Sequence, residues 1–402
     1  MKNYQDKVTG QIYAFEDDYD PFLSDNRNTP KTLTKNIKTK PTESSVWYEG
    51  GWIERTDVPI DYIEPISSVS SYNPAWMVYL KPYSAIVSDK QHKIEFSLDQ
   101  INNNSYDGMQ LSKVIGILSL EDGDNLKALI SYDGAIAIPQ NDKFPTRIDA
   151  ITKLNEILCC LLLGGIHVEV LHPHDLIVGT LYEKDKLFSY LPSLHNQLRC
   201  NWASIAERLA PLMHPRVLHL KDVQKAFAKG QLILQALPQV TPFFLLNGYT
   251  SLINHNNNDA LNNLWIVVEQ LTEILWKQIY TSNKDNYPRQ VKKIHTYYKE
   301  KKYLKHIATK HKLLRLSKII TRQHYTKLDS ARNARNDLAH RGEQPNREIV
   351  IELWRIFAEL LEVATNSENV PLKKLRVGQE LNWNNPINTN FDEWQELVSQ
   401  IK

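Results

Sequence analysis

The feature that most restricts the fold of this chain is a change of hydrophobic period after the polar segment NHNNNDA at 254–260. Beyond it, the stretch LNNLWIVVEQLTEILWKQIY at 261–280 places apolar residues three and four positions apart, which puts them on one face of a helix. The stretch REIVIELWRIFAELLEVA at 347–364 has the same spacing. Helices of this kind bury their apolar faces against one another. The sequence therefore predicts an all-α bundle of about four or five helices over 258–368.

The first 240 residues show a different pattern, in which short apolar or alternating runs are separated by Asn, Asp and Gly clusters. Such runs predict strands, and they lie at 11–15, 93–97, 114–120, 127–132, 134–139, 166–171 and 176–182. The pair Asp133-Gly134 predicts a hairpin turn. Helices are predicted at 147–165 and at about 197–212 and 219–236. The chain is therefore predicted to have an α+β fold, with a mixed α/β region followed by the bundle.

A chain of 402 residues is long enough for two or three domains. A polar composition rich in breaker residues predicts a flexible segment at 1–45. A mixed α/β domain is expected at 46–250 and the bundle at 258–368. A tail with one short helix, FDEWQELVSQI, is expected at 369–402.

The cysteine content and the apolar runs indicate a soluble protein of a reducing compartment. The three cysteines, two of them adjacent at Cys159 and Cys160, match neither a disulfide framework nor a zinc-ligand spacing. The longest apolar run, ILCCLLLGGI at 157–166, is too short to cross a bilayer. The first ten residues contain no apolar signal region. We therefore expect a cytoplasmic location and no membrane partner.

The charge is unevenly distributed along the chain. The net charge is only +2, yet residues 289–341 contain sixteen lysines and arginines against three acids, which leaves a net charge of −11 for the rest. Tyrosines are interleaved with these cations, for example Tyr297, Tyr298 and Tyr303. Cations bind phosphates, and aromatic faces stack on unpaired bases. The segment therefore favours nucleic-acid binding, with a solvated basic helix face as the alternative.

Within this segment, RNARNDLAHRG at 332–342 places a histidine among three arginines at a predicted helix end. Arg335 and His340 match the pattern R-x4-H, but so short a pattern also arises by chance. For example, Arg208 precedes His214 and Arg289 precedes His295 by six positions, one more than the five between Arg335 and His340. Only His340 lies in the last turn before a candidate C-cap glycine, Gly342. The context rather than the spacing therefore distinguishes His340.

An RN-x3-H motif at the end of a helix in an all-α bundle resembles the HEPN superfamily of metal-independent ribonucleases. The segment is most similar to the Apea-like HEPN domains of bacterial anti-phage abortive-infection proteins. The resemblance covers about 258–368, roughly a quarter of the chain. By analogy with that arrangement, the region 46–250 is expected to be a sensing or regulatory domain.

The resemblance implies an endoribonuclease in which the 2′-hydroxyl of RNA is the nucleophile. His340 would transfer a proton, Arg335 would stabilise the charged phosphorane, and Asn336 would orient the phosphate or the imidazole. Asp337 is a supporting residue, and Glu269 would hold Arg335 from a neighbouring helix. Further RNA contacts are expected from Arg332, Arg341, Lys301, Lys302 and Lys305.

The resemblance also implies partners and a biological setting. RNA, with tRNA among the candidates, would be the substrate, and the bundle would form a homodimer or a higher homo-oligomer with a composite site. A phage-derived trigger or an antitoxin would control the activity, which would serve anti-phage defence or act as a toxin. No cofactor or metal is implied.

Two other functions remain open on the sequence alone. The bundle would also suit a non-catalytic HEPN-type module for RNA binding or dimerisation. A metal site is the other alternative, because His172-Pro173-His174-Asp175 places two histidines two positions apart, on one side of an extended chain. A turn between two strands explains the same residues more simply.

Overall fold

A computed structural model describes residues 2–6, 12–15, 33–34, 45–48, 51–54, 73–83, 85–88, 112–120, 126–182, 185–189, 216–375, 377 and 391–400. The predicted strand at 93–97, the predicted helix at 197–212 and His214 lie outside these residues. The described elements form an α+β protein, as predicted. Backbone contacts divide the chain into one unit of Met1–Ile157 with Leu171–Phe227 and another of Leu158–Val170 with Ala228–Lys402.

The first unit is built around antiparallel strands. The strands are β1 (Lys2–Asp6), β2 (Ile12–Phe15), β3 (Leu33–Thr34), β4 (Ser45–Tyr48), β5 (Gly51–Glu54), β6 (Pro74–Tyr79), β7 (Ala85–Val87), β8 (Val114–Ser119), β9 (Lys127–Ser131), β10 (Ala135–Pro139), β11 (Ile177–Tyr182), β12 (Lys186–Ser189) and β13 (Val217–His219). Six of them form one antiparallel sheet in the order β12-β11-β6-β10-β9-β8, while β13 pairs with β7 in parallel. The segment 1–45, which the sequence predicts to be flexible, contains β1, β2 and β3, paired as one sheet.

The central strand β6 is buried along most of its length, from Ala75 to Val78. It pairs with β10 and with β11, in registers such as Val78 with Ile136. The predicted hairpin at Asp133-Gly134 is confirmed, because Gly134 has φ +82° and donates its N–H to Ser131 O at 3.1 Å between β9 and β10. A turn residue with positive φ favours glycine.

The strand predicted at 166–171 is wrong. These residues have no regular secondary structure and join no sheet. Side chains satisfy the backbone instead, since Val170 donates its N–H to Thr250 Oγ1 at 2.8 Å and Leu171 exchanges two hydrogen bonds of 3.0 Å with the Asn155 side chain. The apolar run therefore reports burial, not strand pairing.

Nine α-helices lie in the described residues. They are α1 (Arg147–Leu163), α2 (Leu220–Gln235), α3 (Pro242–Ile253), α4 (Asn257–Ile274), α5 (Arg289–Glu300), α6 (Ile307–Leu316), α7 (Arg322–Arg341), α8 (Arg347–Thr365) and α9 (Phe391–Gln400). A π-helical segment, Leu275–Tyr280, continues α4, and short 3₁₀ turns lie at Pro173–Asp175, Thr281–Asn286, Tyr303–Lys305 and Pro371–Lys374. Within the described ranges, no helix is both long and apolar enough to cross a membrane.

Helix α4 is the centre of the helical unit and contacts α3, α6, α7 and α8. Its predicted apolar stripe is buried, from Leu264 to Ile274. Helix α8 buries the matching face, including Trp354 and Phe357. The unit also includes α3, so it contains residues on both sides of the polar segment 254–260.

Candidate functional site

The candidate site lies at the carboxyl end of α7, where local sequence fixes the end of the helix. Gly342 has φ +70° and donates its N–H to Leu338 O at 3.1 Å, the geometry of a helix C-cap. Five residues later α8 begins, and Asn346 accepts a hydrogen bond from Glu348 N–H at 2.8 Å as its N-cap. Pro345 between them is buried. The last turn of α7 is therefore held on both sides by capping contacts.

The three predicted catalytic side chains have open surroundings. His340 and Asn336 are exposed and Arg335 is half-buried. In the described part of the chain, none of the three is joined to another side chain by a hydrogen bond or an ion pair. Their donor groups are therefore available to a ligand.

The helical geometry separates these groups into two faces. Because α7 stays helical through Arg341, the five-residue step from Arg335 to His340 turns by about 140° around the axis. Asn336 and His340 are four residues apart and share a face. A single copy of α7 therefore presents Asn336 with His340, and Arg335 to the side.

The supporting residue Asp337 pairs with Arg341 at 3.2 Å, and Arg341 also lies 3.9 Å from Glu343. All three side chains are well exposed, so these pairs contribute at most about 1 kcal/mol. A phosphate can replace the carboxylates as the partner of Arg341 at little cost. Arg341 therefore remains a candidate phosphate ligand.

The structure does not bring Glu269 to Arg335. The Glu269 carboxylate accepts a hydrogen bond from Trp265 Nε1 at 2.7 Å, one turn earlier in α4. No ion pair between Glu269 and Arg335 occurs in the described residues. Glu269 instead holds the indole of the buried Trp265 in place.

Arg332, one turn before Arg335, is also engaged within the protein. Its guanidinium donates to Asp329 at 2.5 Å and to Asn333 at 3.4 Å. Its charge also acts on the buried His311, described below. Arg332 is therefore held in place by its neighbours, unlike Arg335.

A buried polar cluster between α4 and α6 was not evident from the sequence. His311 is 2 % exposed, and its Nε2 lies 2.9 Å from Thr272 Oγ1. The Thr272 hydroxyl donates to Val268 O at 2.7 Å, so it accepts from His311, which places the imidazole proton on Nε2. Burial, with a smaller contribution from Arg332, lowers the pKa of His311 to about 4.

Lys310, adjacent to His311, is buried and pairs with Glu273, while its ammonium lies 6.0 Å from the Trp276 ring. The sequence pattern that could have predicted the burial of both residues is helical spacing, since Lys310 precedes the buried leucines Leu313 and Leu314 by three and four positions. Two cations of the basic segment are therefore paired within the protein, the buried Lys310 with Glu273 and the half-buried Lys327 with Glu352.

Several other cations of the basic segment are exposed and form, with two tyrosines, a surface that we call the α5–α6 corner. Its members are Tyr297, Lys301, Lys302, Tyr303, Lys305 and Lys312. The three predicted RNA-binding lysines, Lys301, Lys302 and Lys305, are exposed. No ion pair involving them occurs in the described residues. The corner is therefore a group of exposed cations that no described carboxylate neutralises.

His295, which shares the longer Arg–His spacing, has very different surroundings. Its ring stacks on Trp276 at 6.0 Å and on Tyr280 at 5.6 Å, and its Nδ1 lies 3.1 Å from the Tyr280 hydroxyl. Burial and the neighbouring Tyr287 raise the pKa of Tyr280 to about 12. His295 is part of an aromatic stack, which distinguishes it from the exposed His340.

The residues of the alternative metal site are arranged as a structural turn. The rings of His172 and His174 stack at 5.6 Å. The buried Asp175 carboxylate accepts from Lys81 Nζ and from His172 N–H, both at 2.8 Å. Over the described ranges, no three His, Cys, Asp or Glu side chains are grouped as metal ligands.

Comparison with known proteins assigns neither a family nor a function to the chain. No family model matches the chain, and neither a curated protein nor a solved structure matches it.

Proposed function

We propose that this protein is a metal-independent endoribonuclease of the HEPN type, with its active site at the carboxyl end of α7. The observation that carries the proposal is the set of unpartnered Arg335, Asn336 and His340 side chains at a capped helix end. The surrounding segment 289–341 carries a net charge of +13. A polyanion with its own nucleophile fits such a site, because the protein has to supply only proton transfer and charge stabilisation.

In the proposed reaction, the 2′-hydroxyl oxygen attacks the adjacent phosphorus and the bond from phosphorus to the 5′-oxygen breaks. The imidazole of His340 removes the 2′-proton as the new bond forms. The leaving 5′-oxygen takes up a proton from solvent, and the His340 imidazolium then returns its proton to solvent. The products are a 2′,3′-cyclic phosphate and a 5′-hydroxyl. Arg335 stays charged at any working pH and stabilises the phosphorane oxygens.

The two faces of α7 favour a site made by two copies of the chain. Arg335 lies about 140° from His340 around the helix axis, so the two side chains leave α7 in different directions. In a homodimer, His340 of one copy and Arg335 of the partner subunit can act on the same phosphate. On this proposal the activity serves anti-phage defence or acts as a toxin, and a trigger or antitoxin controls it.

The test is cleavage of a labelled RNA in EDTA by the wild-type protein and by Arg335→Ala and His340→Ala. Both variants should lose most of the activity and keep the wild-type melting temperature, because neither side chain belongs to the core. His255→Asn is the matched control, since His255 is also exposed and asparagine tolerates its positive φ of 59°. Full activity of His340→Ala, or loss of all activity on adding EDTA, would contradict the proposal.

The same angular separation supports a second candidate function, a non-catalytic RNA-binding or dimerisation module. Such a module needs the cations of the segment but not the convergence of Arg335 and His340. It would bind RNA with a steep salt dependence and leave the RNA intact. Mixing Arg335→Ala with His340→Ala distinguishes the two functions, because a composite site formed by mixed dimers regains activity and a binding module does not.

A further inference from the structure

The α5–α6 corner combines exposed aromatic rings with exposed cations. Tyr297 is 53 % exposed and Tyr303 is 46 % exposed, whereas Tyr249 and Tyr280 are buried. Lys301, Lys302 and Lys305 lie between and beside them and are exposed. The corner is therefore able to offer ring faces and positive charge to the same ligand.

The backbone holds this surface in a defined shape. Lys302 has φ +58°, a left-handed conformation that turns the chain sharply after α5. Lys302 donates its N–H to Lys299 O at 3.0 Å, and His306 donates its N–H to Tyr303 O at 3.0 Å. A left-handed lysine is uncommon and is kept only when its surroundings require it. The turn therefore presents Tyr303 and its neighbouring lysines on a fixed frame.

Side-chain contacts extend the surface onto α6. The Lys312 ammonium lies 5.6 Å from the Tyr298 ring, and the rings of Tyr297 and Tyr298 are 5.6 Å apart. The ring of Tyr303 lies 5.9 Å from that of His306. Glu300 is the only acid between residues 289 and 328. The corner is therefore positively charged over its whole length, and its two exposed tyrosines lie among the lysines.

The chemistry that fits this combination is a chain of phosphates with accessible base faces. In a duplex the base faces are covered by neighbouring pairs, so a tyrosine ring has nothing to stack on. In a single strand every base offers a π-face, and stacking on aromatic side chains is favourable whatever the sequence. Acidic polypeptides satisfy the lysines but leave the two exposed tyrosine rings without a matching group.

We propose that the α5–α6 corner is a binding site for unpaired nucleotides, separate from the residues of cleavage. Tyr297 and Tyr303 stack on bases while Lys301, Lys302 and Lys305 contact phosphates. The proposal rests on the proposed function in taking RNA as the ligand. It deepens that function by making single-stranded RNA, or an unpaired loop of a folded RNA, the preferred substrate.

The experiment compares two labelled RNAs, an unstructured strand and a duplex of equal length, by fluorescence anisotropy. The full chain is used with His340→Ala in all samples, so that the RNA stays intact. Replacing Tyr297 and Tyr303 together by leucine should weaken single-strand binding by about tenfold or more and leave duplex binding unchanged. Replacing Lys301, Lys302 and Lys305 by glutamine should weaken the binding of both RNAs.

Three controls make the result specific. Tyr297→Phe with Tyr303→Phe keeps the ring faces and should keep single-strand affinity. Phe243→Leu removes an exposed ring outside the basic segment and should change nothing. Polyglutamate is added as a competitor. It should displace the labelled single-stranded RNA only at a much higher concentration of charged groups than unlabelled RNA needs.

Equal affinity for both RNAs with no effect of the leucine pair would overturn the inference. So would equal competition by polyglutamate, which would identify a surface for acidic polypeptides. If those results came with EDTA-resistant cleavage that depends on His340, the proposed function would stand and only the inference would fail. Absence of any RNA binding would overturn both.

Discussion

The buried histidine of the helical unit makes stability depend on pH in a calculable way. His311 is 2 % exposed and donates to Thr272, and burial lowers its pKa from 6.5 to about 4. The unfolded chain therefore binds a proton at this residue between about pH 6.5 and pH 4, where the folded chain does not. Stability from this residue is complete above pH 6.5 and is lost as the pH falls towards 4.

The size of the effect follows from the same two values. A change of one in pKa corresponds to about 1.4 kcal/mol, so about 3 kcal/mol of the free energy of unfolding depends on the protonation of His311. Of this, about 2–3 kcal/mol is lost by pH 4.5. The change to test is His311→Gln, because the glutamine amide can donate to Thr272 but does not titrate. The wild-type protein should lose about 2–3 kcal/mol more than this variant between pH 7.5 and pH 4.5.

The assay is urea unfolding at several pH values, followed by circular dichroism, with the free energy of unfolding taken from each curve. His340→Gln, which replaces an exposed imidazole outside the cluster, is the matched control. Both proteins contain the same carboxylates, so their common acid sensitivity cancels in the difference. Identical pH dependence in wild type and His311→Gln would refute the reasoning that the imidazole is buried in its neutral form.

Three further predictions concern glycines with restricted surroundings or backbone and the salt dependence of RNA binding. A Cβ at Gly230 would lie 1.7 Å from the Cys160 carbonyl oxygen, so Gly230→Ala should lower the free energy of unfolding by at least about 1–3 kcal/mol. A Cβ at Gly248 would lie 2.8 Å from the Leu264 side chain and 3.0 Å from its backbone nitrogen, so Gly248→Ala should lower the melting temperature less. Equal melting temperatures of the two variants would contradict this. Gly342→Ala meets no atom within 4 Å but has φ +70°, so thermal melting should show a loss of about 1–2 kcal/mol; an unchanged melting temperature would argue against the left-handed cap. RNA affinity should fall steeply with salt, and replacing Lys301, Lys302 and Lys305 by glutamine should reduce the slope of log K against log salt by about 2; a salt-independent affinity would leave these lysines as a solvated face.

Local periodicity predicted the helices well where one face is buried. Helices α4 and α8 are confirmed because apolar residues at a spacing of three and four positions need no knowledge of their partners. Helix α3, PFFLLNGYTSLI, was not predicted, although its buried residues Leu245, Tyr249 and Leu252 are spaced by four and three positions. The run at 166–171 was predicted to be a strand because periodicity does not reveal that the side chains of Asn155 and Thr250 satisfy its backbone.

The candidate site was predictable only in part for the same reason. The C-cap at Gly342 depends on neighbouring residues in the sequence, so the sequence indicated it. The partner of Glu269 depends on which residue of another helix lies within reach, and Trp265 of its own helix proved closer than any described arginine. The burial of His311 likewise required the packing of α6 against α4.

The measurement that most directly tests the central claim is the chemistry of the RNA ends produced in EDTA. Wild-type protein is incubated with a defined RNA, and the termini of the products are identified by mass spectrometry beside those from His340→Ala and Arg335→Ala. The proposed mechanism predicts a 2′,3′-cyclic phosphate and a 5′-hydroxyl from the wild type and little or no product from either variant. A 5′-phosphate among the wild-type products, or the same cyclic phosphate in undiminished yield from His340→Ala, would contradict it.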